Sequence, residues 1–170
     1  IFIIYYLKEL LKKININTIS IACEIGQGYA MFASKLLKIK KLKLILIDLP
    51  ESNILSAYYL KKKFPKKKII LDIDLKNKKK LDAKNLKCGD IFILSPSVII
   101  GDIKIDLFIN MRSMMEMNFD VIKKYFDLIH SKISQNGIFF SVNRYYKDLV
   151  GYPIELHTYP YDNNWRVVNS

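Results

Sequence analysis

The chain has 170 residues, 51% of them hydrophobic, which is enough for one domain with a buried core and excludes a disordered polymer. Its 28 Lys and Arg against 16 Asp and Glu give a formal net charge of +12, yet only Arg112, Arg144 and Arg166 are arginine. Nucleic-acid surfaces favour arginine forks and interleaved aromatics, so a lysine-borne excess makes a nucleic-acid partner unexpected, and no apolar run reaches the roughly 18 residues of a transmembrane helix.

Helical and extended patterns alternate along the chain, which marks an α/β fold in a single domain. The opening IFIIYYL is broken by Lys8 and Glu9 and lacks the basic leader and cleavage site of a signal peptide. Residues 3–13 read as a helix with Ile4, Leu7 and Leu11 in one stripe. Residues 18–25, TISIACEI, read as a buried strand. Residues 29–38 read as a helix whose apolar face holds Phe32, Ala33, Leu36 and Leu37. LKLILID, over 42–48, is a second strand. Pro50 then opens a helix that runs to about Lys63, with Pro65 beyond its end. The run KKKFPKKK, over 61–68, reads as a solvated helix end and turn.

Residues 68–75 and 90–96 both read as extended. A Lys- and Asn-rich stretch separates them, so residues 66–89 hold either an extra strand or a loop. IDLFINM, over 105–111, is a further strand. The strongest helical pattern follows, with Phe119, Ile122, Phe126, Ile129 and Ile133 at spacings of three and four, closed by Asn136–Gly137. IFFSVN, over 138–143, is the next strand. In the tail, Trp165, Val167 and Val168 suit an antiparallel edge strand. Cys23 lies in an apolar run, as a buried thiol in a reducing cytoplasm would, and Cys88 stands far from it. The two Cys and two His have no metal-ligand spacing, so no metal site is expected.

The first strand runs into Glu24, Ile25, Gly26, Gln27, Gly28, Tyr29 and Ala30. A nicotinamide site would read G-x-G-x-x-G, with a pyrophosphate at the following helix N-terminus. Here the third position is Met31, too large for close packing, and Glu24 would add negative charge beside a pyrophosphate. The order acid-x-G-x-G-x-small instead suits a ligand carrying positive charge, an amino-acid moiety or a sulfonium. That is S-adenosylmethionine rather than NAD. Asp48 ends the second strand, where a carboxylate accepts both hydroxyls of a ribose. Asp48 and Glu51 also have the spacing of a capping box, and the two roles are compatible. Leu49 and Asn110 complete the candidate cofactor contacts.

At this point the segments CEIGQGYA, LILIDLPES, DLFINMRSMMEM and GIFFSVNRYYK resemble class I S-adenosylmethionine-dependent methyltransferases. More closely, they resemble the bacterial sugar O-methyltransferase family. The resemblance covers most of residues 19–147. It implies a Rossmann-like, mostly parallel seven-stranded sheet flanked by helices, and methyl transfer to a sugar hydroxyl. A sugar or glycan acceptor, a cytoplasmic location and a place in surface polysaccharide assembly follow from it. The chain departs from the pattern at Ala30, where a glycine is common, and residues 66–89 match no part of it. The sequence is short for the superfamily and does not begin with Met, which leaves open a missing substrate-binding region.

A sugar hydroxyl is a poor nucleophile, so a general base within hydrogen-bond reach is expected beyond the carboxyl ends of the central strands. Glu116 is the candidate, because it is the only acid between Asp106 and Asp120 and no His lies there. An acid favoured by the dipole of the next helix explains it equally well. Arg112, Asn143 and Arg144 are candidates for sugar or phosphate oxygens, with a surface ion pair as the alternative for Arg144. Met111, Met114, Met115 and Met117 read as loop packing. His130 reads as structural, and His157 is within conceivable reach of a substrate. An RNA methyltransferase, resting on charge alone, and an inactive cofactor-binding interaction module stay open.

Overall fold

Parallel strands buried on both faces are apolar at nearly every position, and the central strands of this chain are built that way. The computed structural model describes residues 2–75, 79–87, 90–148 and 153–168. Its strands are β1 (Ile21–Ile25), β2 (Lys43–Ile47), β3 (Ile69–Leu71), β4 (Lys80–Leu81), β5 (Ile91–Leu94), β6 (Ile99–Ile100), β7 (Ile105–Met111), β8 (Ile133–Val142), β9 (Tyr146–Lys147) and β10 (Ile154–Glu155). Its α-helices are α1 (Phe2–Lys13), α2 (Met31–Ile39), α3 (Pro50–Lys63), α4 (Ala83–Leu86) and α5 (Phe119–Lys132).

Six strands form one sheet in the order β3-β5-β2-β1-β7-β8, and every neighbouring pair is parallel. The resemblance implied seven strands; the described residues supply six to this sheet. Alternate residues serve alternate faces. Ala22, Leu44, Leu46, Ile91, Ile93, Leu107 and Ile109 pack with Leu10 of α1, Phe32, Ala33, Leu36 and Leu37 of α2 and Leu60 of α3. Cys23, Ile25, Ile45, Ile47, Phe92 and Phe108 pack on the other face with Ile122, Phe126 and Ile129 of α5. The result is a three-layer α/β arrangement, as the alternation of elements predicted. The Ile4, Leu7 and Leu11 stripe of α1 lies outside the described side chains, and Cys88 outside the described residues.

Several boundaries differ from the sequence reading. The segment read as extended over 68–75 is a strand only at Ile69–Leu71, because a 3-10 turn, Asp72–Asp74, follows at once. In the uncertain region β4 pairs with β6 as a separate ladder, and α4 follows β4. Helix α5 ends at Lys132, four residues before the Asn–Gly pair expected to stop it. That pair instead builds a bulge in β8, where the register jumps from Ile105↔Ile133 to Leu107↔Ile138. Asn136 takes the left-handed conformation there, φ 62°, and a Cβ on Gly137 would lie 2.6 Å from Ile133 Cγ1. Among the described residues, the tail around Trp165, Val167 and Val168 forms no edge strand. Trp165 Nε1 donates to His130 Nε2 at 2.8 Å, and its ring packs against Phe139 and Tyr161.

Among the described residues, no helix is long and apolar enough to cross a membrane.

Candidate functional site

The carboxyl ends of β2, β1 and β7 finish level, with Ile47, Ile25 and Asn110 side by side. The chain leaves β1 for β2 on one side and returns to β7 on the other. Open α/β sheets take ligands at the crevice such a reversal leaves. The Gly26–Ala30 loop and the segment after β7 form its walls.

Gly26 and Gly28 both have left-handed backbones, φ 68° and 55°. They differ in what a side chain would meet. A Cβ on Gly26 would lie 2.0 Å from Ser113 Oγ and 2.2 Å from Ser113 Cβ, whereas one on Gly28 would meet nothing within 4 Å. Gly26 therefore lets the segment after β7 press against the loop, and Gly28 leaves its outer side open. The Gly26 N–H donates to the Ile47 carbonyl at 2.8 Å. The Gly28 N–H donates to Asp48 Oδ2, and the Leu49 N–H to Asp48 Oδ1, each at 2.8 Å.

Asp48 is half-buried, and each oxygen holds one donor. An ionised carboxylate has about four acceptor positions, so about two remain for a ligand. Asp48 is not the cap of α3: Leu49 occupies that position, without a side-chain bond, and is exposed. Asn53, one turn into α3, donates to the Asp48 carbonyl at 3.0 Å and accepts from Gln27 Nε2 at 2.8 Å. Gln27 Oε1, within the loop, is buried and has no hydrogen-bond partner among the described residues.

Glu24, expected to serve a ligand of positive charge, is held by the helix that follows the loop. It is 2% exposed, and its Oε2 accepts the Ala33 N–H at 3.1 Å. Ala30, the N-cap of α2, has a left-handed backbone and no side-chain acceptor, so Glu24 supplies the missing cap from the strand below. Burial pushes its carboxyl up from 4.5 to about 8; the Ala33 N–H opposes this and the Asp48 charge adds to it. A raised carboxyl means the folded chain keeps a proton that the unfolded chain releases. Stability is then full below the ordinary value and is lost as pH rises through about 8. We expect unfolding free energy to fall by on the order of a few kcal/mol across that window, and Glu24→Gln to flatten the profile. Urea unfolding at a series of pH values measures both. An identical slope in the variant rules the assignment out.

Asn110 is fully buried and fully used. Its Nδ2 donates to the Ile25 carbonyl at 2.9 Å and to Ser113 Oγ at 2.5 Å, and its Oδ1 accepts from Met114 N–H and Asn143 Nδ2. Asn143 Oδ1 accepts the Met115 N–H at 3.1 Å. These side chains tie the ends of β1, β7 and β8 together; Asn110 has no hydrogen-bonding position left, whereas the half-buried Asn143 Oδ1 holds one donor. Met114 is buried in the core, as loop packing predicted.

Arg112, Glu116 and Arg144 form a different group. All three are exposed, and among the described residues their side chains make no hydrogen bond or ion pair. Arg112 has φ 67°, a conformation that costs a non-glycine residue about 1–2 kcal/mol. Glu116 ends the 3-10 turn Met114–Glu116. The cap of α5 is Asn118, which accepts the Val121 N–H, and its first-turn acid is Asp120, so Glu116 stands outside that helix end. His157 pairs with Glu155 at 3.0 Å on the surface. Sequence reasoning missed Ser113, Gln27 and Lys147, which is 7% exposed and donates to the Met117 carbonyl at 2.8 Å. No spacing marks any of them; each is set by a contact between distant segments.

No protein-family model matches the sequence, and no curated protein matches it. Solved structures do match the fold. A Galdieria sulphuraria protein assigned as a sarcosine dimethylglycine methyltransferase superposes with TM-score 0.60 at 13% identity, over 86% of this chain and 48% of that one. The amino pentose methyltransferase CalS10 of Micromonospora echinaspora gives 0.56 at 5% identity, over 84% and 50%. The mitomycin 7-O-methyltransferase MmcR gives 0.54 at 12%, over 82% and 35%. The chain therefore spans half or less of the length of these structures. Its fold is the Rossmann-like fold of class I S-adenosylmethionine-dependent methyltransferases. The acceptors in those names differ, so the fold leaves the acceptor open.

Proposed function

We propose that the chain binds S-adenosylmethionine over the Gly26–Ala30 loop and methylates a sugar hydroxyl, in the assembly of a surface polysaccharide or other glycan. One observation carries the cofactor reading: the open side of Gly28 adjoins a half-buried Asp48 with acceptor positions to spare, at the reversal point of the sheet. The residues present fit such a ligand. Asp48 accepts from ribose hydroxyls while it holds the Gly28 and Leu49 N–H groups, and the exposed Leu49 side chain is the apolar lip beside it. Glu24 and Asn110 act on the cofactor indirectly, by fixing the loop and the strand ends, and Asn143 does the same behind the acceptor side.

The bound cofactor supplies an electrophilic methyl group; the protein's part is alignment and proton removal. Among the described residues the guanidinium groups of Arg112 and Arg144 are unpaired, which leaves them for sugar or phosphate oxygens. Glu116 accepts the hydroxyl proton at its carboxylate. The sugar reading draws on the resemblance of LILIDLPES and GIFFSVNRYYK and on the amino pentose acceptor named for CalS10.

Calorimetry is expected to detect S-adenosylhomocysteine and no NADH. Asp48→Ala should weaken the former by about 1–3 kcal/mol, because it removes charge-assisted hydrogen bonds. Tighter NADH binding overturns the cofactor reading. For the acceptor, S-adenosylhomocysteine release is followed with nucleotide-linked sugars and glycans against RNA. Turnover on RNA alone overturns the sugar reading.

A further inference from the structure

The outer side of α3 carries an apolar stripe that no described residue covers. Ile54, Leu55 and Tyr58 share one side of the helix and are 72%, 61% and 68% exposed. Ser56 and Leu60, on the opposite side, are buried. The stripe runs into lysines. Lys61 and Lys62 continue the same side, and Lys62 Nζ lies 5.8 Å from the Tyr58 ring centre. Lys66 and Lys68 follow just beyond, exposed. Lys63 turns inward, to Ser34 Oγ at 2.9 Å and the Tyr59 hydroxyl. Among the described residues, Lys61, Lys62, Lys66 and Lys68 form no ion pair. The one acid of the helix, Glu51, lies on the same side one turn before Ile54 and Leu55, at the amino end and away from the lysines.

Solubility accounts for the lysines but not for three large apolar side chains held together in water. Nucleic-acid phosphates would neutralise the lysines and leave the stripe wet. A second copy would cover the stripe but bring like-charged lysines together in a chain of net charge +12. An anionic bilayer satisfies both parts: headgroup phosphates meet the ammonium groups, and the acyl boundary takes the aliphatic side chains and the tyrosine ring. We infer that the outer face of α3 docks on an anionic lipid surface, with the helix lying in the interface plane. The inference is independent of which group is methylated, or whether any is.

The test is flotation of the full chain with phosphatidylcholine vesicles, with and without phosphatidylglycerol. Flotation is expected only with the anionic lipid, and it should decline as salt is raised. Leu55→Ser with Tyr58→Ser, and separately Lys61→Glu with Lys62→Glu, should each lower partitioning about tenfold or more. All four positions are exposed, so unchanged thermal unfolding verifies that the variants fold. Absence of flotation, or equal flotation with neutral vesicles, overturns the inference. So does sensitivity to the lysine changes alone with competition by RNA, which assigns the face to nucleic acid. A dimer mass in light scattering that Leu55→Ser with Tyr58→Ser reduces to a monomer, without lipid dependence, assigns it to a second copy and also overturns it.

Discussion

Gly26→Ala is expected to lower folding stability by about 3 kcal/mol or more and to abolish cofactor binding, while Gly28→Ala costs only its backbone strain of about 1–2 kcal/mol and also abolishes binding. Both residues have left-handed backbones, so both variants carry the strain of a side chain in that conformation, about 1–2 kcal/mol. Only at Gly26 does the new methyl group collide, 2.2 Å from Ser113 Cβ. Rotating Ser113 cannot relieve that contact, because Cβ does not move with χ1. Its hydroxyl is also held by the Ile25 carbonyl at 3.1 Å and by Asn110. The segment after β7 must retreat, and the tie between β1 and β7 loosens. Urea unfolding and calorimetry with S-adenosylhomocysteine separate the two glycines. Adding Ser113→Gly to Gly26→Ala should restore part of the lost stability, a coupling that distant sites do not show. If Gly26→Ala unfolds within about 0.5 kcal/mol of the parent, the close approach of Ser113 is not a constraint on the loop.

The layers of the fold were legible because they rest on periodicity. The apolar runs around Cys23, Ile45 and Phe108 are what two-faced burial in a parallel sheet requires, and the Ile122, Phe126 and Ile129 spacing is what one-faced burial of α5 requires, although Phe119 at the start of that stripe is exposed and Ile133 at its end belongs to β8. The glycine loop was legible because a turn after a strand needs residues tolerant of positive φ; Asp48 was read as an acceptor for ribose hydroxyls, and its bonds to the Gly28 and Leu49 N–H groups had no signal in the sequence. What failed to show was anything set by a partner far along the chain. Asn136–Gly137 has the same local chemistry in a helix end and in a strand bulge, and only the pairing of β8 with β7 decides between them. The sequence context of Glu24 gives no sign that its Oε2 caps α2, a bond set by how the helix sits on the strand. Asn110 and Asn143 looked like ligand contacts because they end strands. Both bond each other and the backbone of the 114–115 segment, contacts between distant segments that no local pattern announces.

Glu116→Gln is expected to reduce turnover by roughly 100-fold or more and to leave S-adenosylhomocysteine affinity nearly unchanged. The carboxylate stands after the carboxyl end of β7, exposed and unbonded among the described residues, between Arg112 in chain order and the Asn118 cap of α5. Because Asn118 and Asp120 already serve the helix start, losing the charge at Glu116 should change stability by no more than about 0.5 kcal/mol. Glutamine keeps the shape and the acceptor oxygen but cannot take a proton at neutral pH. A base acts only while the proton is leaving, so its loss should lower kcat without raising KM for the acceptor. Arg144→Ala should do the reverse, raising KM for the acceptor with a smaller change in kcat, since a guanidinium that holds sugar or phosphate oxygens serves ground state and transition state alike. Steady-state kinetics with a nucleotide-linked sugar separates the two patterns. Turnover of Glu116→Gln within a few-fold of the parent removes Glu116 from the mechanism and makes His157, paired with Glu155 on the surface, the next group to substitute.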